Sequence, residues 1–456
     1  MQIIADLHLH SKYSRAVSKD MTLPVMASFA QKKGINLLTT ADWTHPLWFK
    51  EIQSQLEEAG KGVYKLKTGE EPLFLLSTEI SSIYSQDGKL RRIHNLVFAP
   101  SFEAAGKIIK ELQKRGCNLM ADGRPIIGLS SKQLLELILE VDKACLLIPC
   151  HAWTPHFGVY GSASGFNSIT EAFGGLDSYI YGIETGLSSD PEMNWQIQEL
   201  MDRSILSFSD AHSPAKMGRE ATVFVENKNG MSNVKSQISN NKITYDDIAK
   251  AIKRDPKGNL KIGYTIEFYP EEGKYHFSGH RNCGVVRGVE EIKKDGSTCP
   301  VCSRRLTEGV LYRLGQLRSE TLLDRSRTKE SPHGIKWIVD AKKNHPPFVR
   351  MVPLLEILAE SLGSTVFSQK TKTLFDDLCK KFDGEFSVLL TTPIEEIQKT
   401  FGDRVAEGVL KVRRGDIVIQ PGYDGEYGKV QIWHKESVAN KTVVNTQEPK
   451  NQLGLF

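Results

Sequence analysis

No run in this 456-residue chain is apolar for long enough to span a bilayer. The first residues, MQIIADLHLH, lack the basic start, extended apolar stretch and small-residue cleavage site of a secretory signal. The expectation is a cytoplasmic protein with no membrane partner. An excess of one charge is missing too. The formal net charge of +4, with a quarter of the residues charged, is too small to demand a polyanionic partner, although it leaves room for a local basic face. Cysteine is sparse and odd in number, seven in all, which in a chain without an export signal argues against a disulfide framework. Three of the seven lie close together beside histidines, the arrangement of a metal site. Cys117, Cys145, Cys150 and Cys379 read as reduced core residues.

The length exceeds one ordinary compact unit, so two or more domains are expected. From residue 1 to 225, short apolar runs (QIIADLHLH, INLLTTAD, LFLLSTEIS, HNLVFAP, CLLIPCHA, YIYGIETG, SILSFSDAH) alternate with helical patterns such as LPVMASFAQKKG and SKQLLELILEVDK. Repeated βα units predict an α/β fold with a parallel sheet closed into a barrel. Residues 226–262 are polar and punctuated by Asn and Gly, a connector with one small helix. The cysteine cluster falls in 263–315. Residues 316–440 read as a mainly helical C-terminal domain ending in strands joined by a Gly-rich turn, and 441–456 as a polar tail able to bury little surface.

Nearly every apolar run of the first half ends in an acid or a histidine, and the strand C-termini of an α/β barrel converge on one mouth. Asp6, His8 and His10 alternate along a strand and so project to one side. Asp42 with His45, then Glu79, His94, His151 and Glu184, and finally Asp210 with His212, follow at later run ends. A lone histidine beside a strand is more often a core residue than a ligand; the coincidence at successive run ends carries the inference. Imidazoles suit zinc-like ions and carboxylates bridge pairs of ions. Two divalent ions at such a mouth acidify a water and clamp phosphate oxygens, so phosphoester hydrolysis needs no nucleophilic Ser or Cys.

This order of motifs, DLHLH, ADWTHP, a Glu, two later histidines and a terminal SDAH, resembles the PHP family of phosphoesterases over roughly the first half of the chain. The resemblance implies a PHP-type (β/α) barrel in which His8, His10, Glu79 and Asp210 hold one ion, Glu79, His94 and His151 a second, and His45 with His212 a third. It also implies that Asp210, Glu79 and His8 carry catalysis. One departure stands out: where the family has His directly after the Asp of its second motif, this chain has Trp43, so either Asp42 or the displaced His45 must serve. Asp6 is expected to orient a ligating imidazole. Glu184, with no ligand position assigned, is read as a solvated mouth or structural carboxylate.

A second constellation is His280, Cys283, Cys299 and Cys302, written HRNC and CPVC around a fifteen-residue loop. Each close pair bites one edge of a tetrahedron, a zinc signature, and four protein ligands leave no open position for chemistry. His276 is an alternative first ligand. With the PHP half, LTEGVLYRLGQL, HPPFVRMVPLLEILAESLG and PGYDGEYGKV, nearly the whole chain resembles the endonuclease Q family. That implies a DNA repair endonuclease hydrolysing the phosphodiester bond 5′ to deaminated bases (uracil, hypoxanthine, xanthine) or abasic sites by a metal-activated water. The active-site ion would be zinc, with magnesium or manganese as alternatives, the partner damaged DNA, and the location the nucleoid. The competing reading is a PHP phosphatase acting on a small phosphomonoester.

An enzyme that reads a damaged base must take it out of the stack. The loop AWTPHFGVYGSASGF after His151 makes Trp153, Phe157 and Tyr160 candidates to pack against that base, with ordinary loop packing as the alternative. The basic stretches KWIVDAKKNHPPFVR and VLKVRRG are candidates for tracking phosphates. The last residues, QLGLF, resemble the bacterial sliding-clamp-binding pentapeptide, which implies a clamp partner anchored by Gln452, Leu453, Leu455 and Phe456.

Overall fold

The computed structural model describes residues 2–69, 71–228 and 243–433, so the QLGLF motif lies outside the described residues. The chain opens with β1 (Gln2–Asp6) and β2 (Leu37–Thr39). A hairpin of β3 (Leu56–Gly60) and β4 (Val63–Leu66) precedes β5 (Leu73–Gln86). Strands β1, β2 and β5 lie side by side and parallel, the βα pattern expected, with helices Leu23–Lys33 and Pro46–Gln55 between them. Beyond β5 the sheet becomes mixed. Strand β6 (Lys89–Ala99) runs antiparallel to β5 along its whole length, the short β7 (Ile126–Ile127) lies parallel to β5, and β8 (Leu146–Pro149) runs antiparallel to β6. The cause is local. Asp87 and Gly88 adopt φ of 53° and 70°, the left-handed twist of a two-residue hairpin turn, so LFLLSTEIS and HNLVFAP are two arms of one hairpin.

Strands β9 (Gly182–Glu184) and β10 (Ser204–Leu206) pair in parallel, and β11 (Ala221–Glu226) returns antiparallel against β1. A bridge between Leu9 and Ala211 sets the chain beyond β10 beside the chain beyond β1, so strand ends meet at one mouth. Helix Ser131–Val141 is fixed by a capping box between Ser130 and Gln133 and buries Leu134, Leu135, Leu137 and Ile138. Each such side chain contributes about 1.5–3 kcal/mol of transfer free energy, the main force holding the layers together.

The stretch after β11 is more than a connector. Helix Tyr245–Ile252, capped by Thr244 and Asp247, buries Ile248 and Ile252 in the same cluster as Phe224. Strand β12 (Leu260–Glu267) pairs with β11, so the boundary expected at 262 falls inside a strand of the main sheet. The cysteine module follows: β13 (Ser278–His280) and β14 (Val285–Arg287) form a hairpin beside helix Val289–Asp295, and its own core is little more than Ile292, Cys299 and Leu306. So small a core cannot hold a fold without a staple.

The region expected to be helical begins instead with β15 (Ser326–Glu330), β16 (Lys336–Asp340) and β17 (Phe348–Arg350), which extend the main sheet through the β17–β12 pair. Helices Leu354–Ser361, Gln369–Lys381, Glu385–Leu390, Ile394–Phe401 and Asp403–Arg414 then follow, as expected, and Gln369–Lys381 and Glu385–Leu390 pack against helix Leu23–Lys33. A buried ion pair of 2.5 Å joins Lys33 to Glu385, and Arg350 donates to Asp190 at 2.8 Å. A hairpin of β18 (Val418–Gln420) and β19 (Lys429–Gln431) ends the described chain. Among the described residues no helix is long and apolar enough to cross a membrane.

Candidate metal centre

Beyond β1 the chain stays extended through His10, and all of Leu7, His8, Leu9 and His10 are buried. Glu79 and His94 come from the middles of β5 and β6, not from run ends; His151 follows β8, and Asp210 and His212 follow β10. Three of these loops hold a side-chain-bearing residue at positive φ: Asp42 at 40°, His151 at 29° and Asp210 at 46°. Such conformations are unfavourable and persist where the surrounding structure over-determines them. Gly186 presses on His151 so closely that a Cβ there would overlap it.

Two groups of ligand atoms converge, each within 4.8 Å: His8, His10 and Asp210, and Glu79, His94 and His151. Glu79 spans both. Its Oε2 lies 3.2 Å from His10 Nε2 and 3.7 Å from His8 Nε2, and its Oε1 lies 2.5 Å from His94 Nδ1 and 3.0 Å from His151 Nε2. His8 Nε2, His10 Nε2 and Asp210 Oδ1 are buried yet have no hydrogen-bond partner among the described residues. His10 Nε2 and Asp210 Oδ1 are only 3.1 Å apart, close but misaligned for a hydrogen bond. A buried unsatisfied polar atom costs about 1–3 kcal/mol, so three aimed at one point fit a cation that would satisfy them together. A third group adds the Cys150 thiol to His8 and Glu79, a residue the sequence assigns to the core.

The charges are arranged for the same purpose. Burial works against ionisation of Glu79, but His94, Arg124, His10 and His151 outweigh it and hold the carboxyl well below its usual range. Asp210 is lowered in the same way by His212, His10 and His8 against its burial. Burial opposes protonation of His8 and His10 as well, yet the surrounding carboxylates, Glu184 foremost for His8 and Asp210 for His10, raise both. His94 goes the other way, pushed down to about 4 by burial despite Glu79. Imidazoles and carboxylates thus favour one another's charged forms, and a divalent ion entering would compete with protons for the same nitrogens.

Several residues take roles the sequence did not reveal. Glu184 is fully buried, not a solvated mouth carboxylate: it accepts from His8 Nδ1 at 2.8 Å and from the His151 N–H at 2.8 Å. That contact turns His8 Nε2 toward the centre. Asp42 supports His10 similarly, 3.2 Å from its Nδ1, and accepts from Ser11 N–H at 2.6 Å and Ser14 Oγ at 2.8 Å. Neither Asp42 nor His45 joins a ligand group among the described residues. His45 caps helix Pro46–Gln55, accepting from Trp48 N–H at 3.5 Å, and stacks on Tyr13 at 4.4 Å. The displaced histidine went to cap the helix because it precedes Pro46, a favoured first helical residue. His212 lies beside the centre, its ring 4.7 Å from that of His10 and its Nδ1 2.9 Å from the Asp210 carbonyl.

Among the described residues Asp6 hydrogen-bonds to no imidazole. It accepts from the N–H and Oγ of Ser209 at 3.0 and 2.6 Å and from Gly218 N–H at 2.8 Å, so it locks the Asp210 loop onto β1, and burial pushes its carboxyl up to about 6. Arg124, which no sequence pattern singles out, places Nη1 3.1 Å from Glu79 Oε2. A lone arginine in a loop carries no periodic or spacing signal.

The centre floors a cleft of about 1170 Å3 lined by His94, Arg124, His151, Phe157, Asp210 and His212, among others. Phe157 packs on His94 at 4.3 Å. Trp153 and Tyr160, expected to meet a base, are buried instead: Trp153 Nε1 donates to Asn194 at 2.8 Å, the Tyr160 hydroxyl donates to Glu199 at 2.8 Å, and the two rings pack together at 4.8 Å. The loop folds back on itself, Tyr160 N–H donating to the Ala152 carbonyl at 2.8 Å, which turns both rings inward.

In the cysteine module the ligand atoms of His280, Cys283, Cys299 and Cys302 lie within 4.8 Å of one another, with His280 Nδ1 3.3 Å from Cys302 Sγ. Desolvation opposes the Cys299 thiolate, but the N–H groups of Cys302 and Val301 prevail and bring it down to about 6, poised for a cation. His276 is buried against Phe277 and stands outside the group.

Fold and site together define an α/β barrel protein whose mouth gathers histidines and carboxylates able to hold metal. The chain is 30% identical to the lesion-specific endonuclease of Pyrococcus furiosus, with a TM-score of 0.76, covering 94% of this chain and 95% of that one. It matches endonuclease Q in complex with a 27-mer duplex substrate carrying an abasic lesion at the active site at 29% identity and a TM-score of 0.78, over 96% of this chain and 100% of that one. The chain belongs to the endonuclease Q family. The uncharacterized protein YqxK of Bacillus subtilis is 28% identical over 94% of this chain and 99% of its own length. The uncharacterized protein MJ0043 of Methanocaldococcus jannaschii is 30% identical over 63% of this chain, which spans only 33% of that longer protein. The model of the MJ0043 C-terminal domain matches residues 353–416, the helical block.

Proposed function

We propose that the protein is a metal-dependent DNA repair endonuclease that cuts the phosphodiester bond 5′ to deaminated bases (uracil, hypoxanthine, xanthine) or abasic sites. The observation that carries this reading is the convergence of His8 Nε2, His10 Nε2 and Asp210 Oδ1, buried and without a hydrogen-bond partner among the described residues, at the floor of an open cleft. Similarity over nearly the whole chain to a lesion-specific endonuclease supports DNA as the substrate. One ion would be held by His8, His10, Glu79 and Asp210 and a second by Glu79, His94 and His151, with His212 beside them for a third. Zinc, magnesium or manganese bound there would supply Lewis-acid neutralisation of phosphate charge and acidification of water. Asp210, the member of its ligand group that lines the cleft, would orient the attacking water. The Arg124 guanidinium adds fixed positive charge where phosphate oxygens would sit. Glu184 and Asp42 keep both imidazoles in the productive tautomer. Phe157 remains the aromatic of the His151 loop able to meet an extruded base.

In the module the four Cys/His ligands would hold a structural zinc. The QLGLF tail would dock a bacterial sliding clamp, tying cutting to replicating DNA in the nucleoid; deleting residues 452–456 should spare cutting and abolish capture by immobilised clamp. The deciding experiment is a denaturing-gel assay on labelled duplexes carrying one uracil, one hypoxanthine, one xanthine, one abasic site or no lesion. A nick 5′ to the lesion, absent from the undamaged duplex, is the expected result. Release of phosphate from small monoesters with every duplex intact would replace this reading with a phosphatase.

A further inference from the structure

One part of the cleft lining comes from the far end of the chain. Tyr427, in the turn between β18 and β19, lines it together with Lys216, Arg219 and Lys274. This tyrosine is 42% exposed, high for a large side chain at the edge of a formed cleft. The ammonium of Lys274 lies 4.6 Å from the centre of its ring and that of Lys216 5.7 Å. Neither lysine is ion-paired among the described residues. Arg219 connects this wall to the metal centre, donating to the Ser209 carbonyl at 2.9 Å and reaching the Asp210 carbonyl at 3.4 Å.

The hairpin is held rigidly. Gly422 and Gly428 donate to the carbonyls of Glu271 and Glu272 at 2.8 and 2.9 Å, and Gly425 to that of Lys274 at 3.0 Å. A Cβ on Gly422 or Gly428 would overlap the backbone of 271–273, so only glycine allows this docking. At the tip of the turn Asp424 accepts from the Arg281 N–H at 2.8 Å and from Thr307 Oγ1 at 2.6 Å, the first lying between two ligands of the Cys/His module and the second just beyond its last.

An exposed ring beside unpaired cations is the combination that holds an unstacked nucleotide: the face takes the base and the cations take the phosphate. A phosphate competes well for ammonium groups held only by a ring, and their departure frees the face. We propose that Tyr427 is the stacking face for a nucleotide next to the scissile phosphate of DNA, that Lys216 and Lys274 hold that nucleotide's phosphate, and that the Cys/His module positions the face through Asp424. This rests on the nuclease reading above and adds to it a substrate-contacting wall and a task for the module.

The test is equilibrium binding of a duplex with an abasic site and a neighbouring 2-aminopurine, whose emission reports base stacking. It is made in an Asp210→Asn background, so that binding is read without cutting and with the module still loaded. Tyr427→Phe should bind like its parent, whereas Tyr427→Ala should bind about tenfold more weakly or worse and lose the emission change. Lys216→Gln and Lys274→Gln should each lower the slope of log affinity against log salt by about one. Asp424→Ala should lose the emission change and Asp424→Asn, whose Oδ1 can still accept from the Arg281 N–H while its amide group donates to Thr307 Oγ1, should restore it. Unchanged affinity and emission in Tyr427→Ala would overturn the stacking face. Unchanged slopes would overturn the phosphate contacts, and an unchanged emission response in Asp424→Ala would overturn the positioning role of the module. The nuclease reading is separated by cleavage of wild type: no nick on any duplex counts against it, whereas normal nicking with Tyr427→Ala indistinguishable from wild type counts against this proposal alone.

Discussion

The histidine–carboxylate centre draws its groups from His8 to His212 along the chain, whereas the Cys/His group lies wholly between His280 and Cys302. The first is embedded in a large core, with Glu184, Asp42 and Asp6 buried behind it as supports. The second has a core of three buried side chains, and Cys302 is exposed. A centre assembled from distant strands exists only once the barrel has folded, so its geometry is set before an ion arrives and it can keep one side open to a cleft. A module this small would depend on an ion to fold, its four ligands closing around that ion. On the proposed reading one chain carries a site that the fold makes for a metal and a fold that a metal makes.

Breaking the first side of this contrast should have the largest effect. Asp210→Ala should lower nicking of a lesion duplex by about a thousandfold or more while affinity for that duplex stays near wild type, read by single-turnover cleavage and fluorescence anisotropy. Breaking the second side should separate stability from chemistry: Cys299→Ser should unfold the module, seen as lost amide protection confined to about residues 278–307, while the barrel keeps its own protection. The supports sharpen the picture further. Glu184→Gln, which preserves shape but not charge, should weaken metal affinity at the barrel centre by roughly 10- to 100-fold in a competition titration and leave the module's ion untouched.

The smallest expected effect concerns Glu267, a buried carboxyl on β12 that meets the hydroxyls of Ser207 and Thr265 and that burial pushes up to about 8. Its unfolded counterpart ionises near 4.5, so the folded state binds the extra proton between those values. Stability from this group is full at low pH and is lost as pH rises toward about 8. Glu267→Gln should therefore show a shallower fall in Tm than wild type between about pH 5 and about pH 8.

The sequence was most legible where geometry is local. Alternation in DLHLH placed His8 and His10 together, and the two close pairs of HRNC and CPVC identified the module, because strand pleat and ligand bite are both set within a few residues. It was least legible where a role depends on what packs behind a residue. Glu184 and Asp6 are both acids at run ends, yet one holds an imidazole and the other a loop, a difference decided by distant chain. Trp153 and Tyr160 went inward because their loop closes on itself, and β15 to β17 were hidden because strands of three to five residues are too short to show a period and β15, at the sheet edge, is polar throughout. The Asp87–Gly88 turn was readable by its residue types and accounts for the change from a parallel to a mixed sheet.

The most direct measurement is metal content, determined by elemental analysis on wild type, Asp210→Ala and Cys299→Ser purified side by side and dialysed against metal-free buffer. Two separable losses are expected: Asp210→Ala should lose ions of the barrel centre and keep the module's, and Cys299→Ser should do the reverse. Loss of both sets in either variant, or a full complement in Asp210→Ala, would contradict the division between a metal that the fold receives and a metal that the fold requires.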